Sequence, residues 1–160
     1  MHRVIFAALL LAACTPAPAP RAYRDTTAPI SSIALFDASR LAGEWREVAS
    51  FRESGACLIC RARFAPGAEG VAMESGAGRA RLVPAGPGRL MPEGLKGAAA
   101  EPWWVLWVDA DYRTLVIGTP SGEFGAVLDR GQIGPDRMKA AREILGWAGY
   151  DVARLKPVGS

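Results

Sequence analysis

The side chains able to do chemistry are few. Cys57 and Cys60 form Cys-Leu-Ile-Cys, and Cys14 stands alone near the N-terminus. In an oxidising compartment a disulfide is the default for such a pair. Residues three apart in a regular strand are too distant to bridge, because the Cα atoms must come within about 7 Å. A Cys57–Cys60 disulfide therefore predicts a turn in the loop after Phe51. Dithiol redox catalysis fits less well, since no strand–helix–strand context surrounds the pair. Glu47 is the second candidate. In an alternating strand it shares a face with Trp45, Ala49 and Phe51, and a buried carboxylate needs a partner. A hydrogen bond within the protein would make it structural; a ligand head group would make it a binding residue. The only histidine is His2. Nothing after it supplies imidazole for zinc, for haem attachment or for a Ser-His couple. The residues predict no catalytic set, no metal and no cofactor. An enzyme would have to work with Glu47 or with the thiols of Cys57 and Cys60.

The surroundings of Cys14 predict export. One basic residue, Arg3, precedes an apolar run from Val4 to Ala13. That is the layout of a signal peptide over residues 1–13. The run is too short to span a bilayer, which takes roughly 20 apolar residues. Leu11-Ala12-Ala13-Cys14 resembles the lipobox of bacterial lipoproteins, in which the cysteine becomes the acylated N-terminus. The resemblance implies lipidation at Cys14 and a membrane partner through it. Thr15, where aspartate would retain the chain at the inner membrane, implies the outer membrane, facing the periplasm. Residues 14–32 hold Pro16, Pro18, Pro20 and Pro29 among Ala, Ser and Thr. Such a stretch predicts an extended, solvated tether.

Residues 33–160 make one domain's worth of chain. Half of the 160 residues are hydrophobic, which excludes a disordered chain, and the net charge of +3 comes with no basic stripe, which leaves a nucleic-acid partner unsupported. Short segments separated by Gly and Pro predict strands: Trp45 to Phe51, Arg61 to Phe64, Gly70 to Glu74, Arg79 to Val83, Arg89 to Met91, Trp103 to Val108, Thr114 to Gly118 and Phe124 to Leu128. Eight strands at near-regular spacing predict an up-and-down antiparallel β-barrel or a sandwich. Pro135 to Ala148 breaks the pattern. Met138, Ala141, Ile144, Leu145 and Ala148 recur at helical spacing, Pro135 suits the first turn and Gly149 the stop. A last strand over Asp151 to Pro157 is expected.

That order of elements carries a resemblance. From Phe36 to Val158 the chain resembles bacterial lipocalins and the apolipoprotein D group. Gly43-Glu44-Trp45 and the following Glu47-Val48-Ala49-Ser50-Phe51 look like the family's opening strand. Trp103 to Tyr112, with Asp109-Ala110-Asp111-Tyr112, is similar to its paired strands and their turn. Leu128-Asp129-Arg130 matches the arginine closing its eighth strand, and Gly149-Tyr150-Asp151-Val152 matches its ending. Arg46 departs from the aromatic common at that place, and the middle third is short and rich in Gly and Pro. The resemblance implies an all-β, eight-stranded lipocalin-like barrel with one C-terminal helix, its first and eighth strands adjacent.

Adjacent strands bring Arg130 to Trp45, a cation–π contact at a closed floor with Gly43 beside it. These three residues are expected to be structural. The resemblance places Trp104, Leu106 and Val108 inward on the sixth strand; the opposite register, with the faces exchanged, is the alternative. Phe51, Phe124 and Ala126 complete the expected pocket. Trp103, Val105 and Trp107 would then face outward, partly under the helix, and any left uncovered would favour a homodimer or membrane contact. An apolar pocket in a barrel of this size suits one small hydrophobe, a fatty acid such as palmitate or a lysophospholipid. Binding, storage or transport at the envelope is the function expected. The alternative is a structural or interaction lipoprotein with a filled barrel.

Overall fold

The computed structural model describes residues 22–52 and 57–159. The signal peptide and Cys14 lie outside them. Eight antiparallel strands follow one another: β1 (Gly43–Ser50), β2 (Arg61–Gly67), β3 (Gly70–Ser75), β4 (Gly78–Pro84), β5 (Arg89–Glu93), β6 (Trp103–Val108), β7 (Thr114–Gly118) and β8 (Gly125–Asp129). Each pairs with the next, and β1 pairs with both β2 and β8, so the sheet closes into a barrel. Closure leaves no long edge to pair with another chain.

Alternation sorts side chains into two apolar clusters. The inner one fills the barrel: Trp45 of β1, Phe64 of β2, Met73 of β3, Leu82 of β4, Leu90 of β5, Trp103 and Val105 of β6, Leu115 and Ile117 of β7, Ala126 and Leu128 of β8. The outer one lies over β6–β8 and holds Leu106, Val116 and Val127 against Ala141 and Leu145 of the helix α1 (Pro135–Trp147). Helix and sheet thus bury a second core outside the barrel. The helix is fastened at its start. Arg137 reaches the buried Asp129 carboxylate at 2.6 Å, and the Thr114 hydroxyl donates to the same oxygen at 2.7 Å.

Two bulges break the alternation. In β1 the register with β8 shifts between Glu47 and Ala49. Trp45 faces inward and Glu47 is buried against the Leu58–Cys60 amides, but Ala49 and Phe51 turn to the outer cluster. The expectation that all four share one face fails there, because an inserted residue reverses the pleat. In β6 the shift falls between Val105 and Trp107.

Part of the stretch expected to be tether, residues 22–32, is folded against the barrel. From Ala22 the chain is docked on the barrel. Tyr23 N–H donates to Gly122 O at 2.7 Å and its ring packs 5.7 Å from that of Phe51. Arg24 is buried, donating to the carbonyls of Ala148, Pro120 and Ala28 at 3.0, 2.7 and 2.6 Å. Ile33 N–H then donates to Val105 O at 2.9 Å. Three carbonyls on one guanidinium outweigh the extended preference of the prolines. The last strand is also shorter than expected: Val152–Arg154 is a 3-10 turn, and only Lys156–Pro157, β9, pairs with β1.

Candidate ligand site in the barrel

The two ends of the barrel are built differently. At the end where β1 begins, a 3-10 helix (Ala38–Leu41) crosses the opening and seats a fully buried Leu41 beneath Trp45. Trp45 Nε1 donates to Leu41 O at 2.7 Å. The Arg130 guanidinium lies 4.3 Å above the Trp45 ring. Its Nε donates to Tyr112 O at 2.7 Å, Nη1 to Ala42 O at 2.9 Å and Nη2 to Arg40 O at 2.7 Å. Gly43 has φ +112°, and a Cβ there would stand 2.7 Å from Arg130 Nη1. Only glycine fits. Arg40 in turn covers Tyr112 at 3.8 Å, and Tyr112 stacks on Phe36 at 6.1 Å. This end is a floor.

The other end is a mouth covered by loops. Ile59, from the β1–β2 loop, is fully buried in the inner cluster. Leu95 and Ala99, from the β5–β6 loop, join it there. Trp103 Nε1 donates to Ala99 O at 3.0 Å, and its ring packs 5.8 Å from Phe124. The β5–β6 part of the cover is held chiefly by apolar contact.

Glu47 explains how Ile59 is held. Its carboxylate accepts the backbone N–H groups of Leu58 at 3.0 Å, Ile59 at 2.6 Å and Cys60 at 3.1 Å. Three donors converging on one buried carboxylate leave it satisfied without a cation. The Cys57–Cys60 disulfide, with Cα atoms 4.8 Å apart, and a positive φ of 60° at Cys60 bend the loop so that these amides converge. The turn expected from the cysteine spacing is there, and Glu47 takes the structural role.

Known folds share this geometry. An allergen of cockroaches, Per a 4, superposes with a TM-score of 0.54 at 13% identity, covering 84% of this chain and 95% of its own. Insecticyanin from the tobacco hornworm Manduca sexta gives 0.58 at 15% identity, covering 83% and 86%. Apocrustacyanin C1 gives 0.53 at 16% identity, covering 76% and 79%. The chain has the lipocalin fold. No family profile matches the sequence, and no curated protein matches it either.

Within this lipocalin barrel the expected pocket residues divide. Phe124, Ala126 and Val108 lie on the inner side, Val108 half-buried against the cluster. Trp104, Leu106 and Phe51 do not. Trp104 lies outside under the Arg89 guanidinium, 4.0 Å from its ring. Leu106 sits beneath the helix, and Phe51 stacks on Tyr150 at 4.9 Å. In their place Trp103 and Val105 point inward. The β6 bulge is the reason. It places Trp103, Val105 and Val108 inside and Trp104, Leu106 and Trp107 outside, so neither strict register describes the strand. Sequence reading also missed Ile59 and Leu95. Their signal was weak: isolated large aliphatics in Gly- and Cys-rich loops.

Proposed function

We propose that this lipocalin-fold protein binds one small hydrophobic ligand, a fatty acid or lysophospholipid, through the mouth of its barrel, as a non-enzymatic carrier at the bacterial envelope. Cys14, lipidated, holds it to the outer membrane on the periplasmic side. The observation that carries this reading is the asymmetry of the two ends. The floor is fastened by a guanidinium with three carbonyl partners, whereas the mouth is covered by two loops, of which the Ile59 loop is tied to Glu47 and the Leu95 loop rests chiefly on apolar contact. A ligand enters by displacing Leu95 and its loop, and more easily still once the Ile59 loop is loosened.

Entry has a cost. Trp103, Val105 and Ile117 are 0% exposed, so the resting interior is filled by its own side chains. Each acyl CH₂ that replaces water contact with burial contributes ~0.8 kcal/mol, which offsets the opening only for a chain of some length. Apparent affinity is the intrinsic affinity scaled by the open fraction. The same packing favours a second reading, a filled barrel that serves as a structural or interaction module. Enzymatic use fits poorly, because the Glu47 carboxylate is engaged by three amides and both thiols are in a disulfide.

A titration of the mature chain with a fluorescent fatty acid separates the two. The first reading expects saturable one-to-one binding, quenching of tryptophan emission through Trp103, and displacement by palmitate or a lysophospholipid. Reduction of Cys57–Cys60 loosens the Ile59 loop and speeds association. Absence of saturable binding in both redox states establishes the filled barrel instead.

A further inference from the structure

The outer face of the barrel carries strand arginines, and three of them have acidic partners. Arg63 pairs with Glu44 at 3.5 Å, Arg79 with Glu74 at 3.0 Å, and Arg81 with Glu69 at 2.7 Å. Arg46 of β1, Arg61 of β2 and Arg89 of β5 have no such partner among the described residues; Arg89 lies over the Trp104 ring and donates to Ser32 Oγ, whereas Arg46 and Arg61 face each other. They stand directly opposite each other in register, both exposed. Like charges so placed destabilise a sheet. Among the described residues neither lies in salt-bridge distance of a carboxylate. The Arg46 guanidinium donates to Gly131 O at 3.3 Å.

The two guanidiniums border a groove of about 400 Å³ outside the barrel. Val48, Ile133 and Val158 give it an apolar wall, and Gln132 adds an amide. Glu47 also borders it, but that carboxylate is already bonded to three backbone amides. The groove therefore joins two exposed guanidiniums, neither in salt-bridge distance of a carboxylate among the described residues, to an apolar surface. Guanidiniums bind carboxylate and phosphate oxygens through paired N–H groups. We propose that this groove is a binding site for an amphiphilic oxyanion, a phosphate or carboxylate bearing a short apolar group. Arg46 and Arg61 take the charge, and Val48, Ile133 and Val158 take the apolar part. The site is separate from the barrel interior.

The test uses the soluble Cys14→Ser protein, which carries no acyl anchor, and hexyl phosphate, with hexanol and inorganic phosphate as controls, followed by calorimetry. Hexyl phosphate is expected to bind one-to-one, more weakly as salt rises, and hexanol not at all. Arg46→Gln and Arg61→Gln should each weaken binding about tenfold or more. Both leave fatty-acid quenching of Trp103 intact, which keeps this site distinct from the interior. Arg61→Glu turns the repulsion into attraction, so it should raise Tm while abolishing hexyl phosphate binding. Vesicles containing phosphatidylglycerol identify the source: sedimentation lost in Arg46→Gln assigns a lipid head group, and its absence in the parent protein, with hexyl phosphate still bound, assigns a soluble anion. Inorganic phosphate binding as tightly as hexyl phosphate overturns the amphiphile assignment. No binding at low salt, or unchanged affinity in both glutamine variants, overturns the site.

Discussion

Arg130 shows how much one side chain can organise. It touches β1 through Trp45, the 3-10 helix through the carbonyls of Arg40 and Ala42, and the β6–β7 turn through Tyr112 O. A lysine at this position keeps the charge but not the planar fork. It can hold one of the three carbonyls and leaves the others to water or unpaired. Arg130→Lys should therefore cost about 2–4 kcal/mol, at 1.5–3 kcal/mol for each hydrogen bond from a charged donor and partial rescue by solvent. Urea denaturation reads this as a lower midpoint with unchanged slope. A loss within ~0.5 kcal/mol, the range of an ordinary surface change, would show that the floor does not depend on the fork. This part of the molecule was legible in the sequence. Gly43, Trp45 and Arg130 are far apart in the chain, but each type has a single physical use: a positive φ without a Cβ, a broad ring face, and a planar cation to cover it.

Among elements, the joint between β7, β8 and the helix is the tightest. Tyr150 follows the helix and inserts its ring between the ends of the two strands. Its hydroxyl donates to Phe124 O at 2.7 Å and accepts Thr119 N–H at 2.8 Å. A Cβ on Gly118 or on Gly125 would come within 2.8 Å of it, so both strands carry glycine where the phenol passes. Burial raises the pKa of this phenol above its ordinary 10.0. A raised pKa in the folded state means the native protein holds its proton longer than the unfolded chain does. The stabilisation is then complete below pH 10 and is lost as pH rises from there through the folded value. Between pH 9 and pH 11.5 or so the Tm of the parent should fall more steeply than that of Tyr150→Phe, which lacks the ionisable group. Parallel slopes would mean that ionisation of Tyr150 is not coupled to unfolding. Elements were less legible than single residues. The strands of β6 to β8 and the helix were readable, because apolar runs between Gly and Pro breaks and a 3.6 period are local signals. Facing was not. In Trp103-Trp104-Val105-Leu106-Trp107-Val108 every position is apolar, since the barrel buries one side and the helix the other. No polar residue marks the outside, and the bulge leaves no trace in composition. At Val48 the same device sends Phe51 to Tyr150 and away from the interior.

The whole molecule has a direction, and it bears on how a ligand would arrive. The docked N-terminal segment begins at the mouth, where Tyr23 N–H meets Gly122 O in the β7–β8 turn. It then runs down the outside to Phe36 at the floor. The helix ends at the mouth as well, since Gly149 O accepts Asp25 N–H, and Trp147 there is 74% exposed. An exposed indole suits the interface of a bilayer. Seven residues lie between Cys14 and Ala22, which makes eight Cα–Cα steps. Fully extended they reach at most roughly 26–29 Å. With Cys14 acylated, as proposed, the mouth therefore stays within about 30 Å of the membrane. Uptake from the bilayer would then proceed at a high effective concentration set by the tether. Lengthening the tether by a further 20 or so Gly/Ser residues after Thr15 should lower that concentration roughly sixfold, from its −3/2 power dependence on length. Transfer of a fluorescent fatty acid from vesicles carrying the acylated protein should slow accordingly. Affinity measured in detergent-free solution for the soluble Cys14→Ser protein should not change with tether length. Equal transfer rates for the short and long tethers would show that the position of the mouth relative to the membrane does not govern uptake.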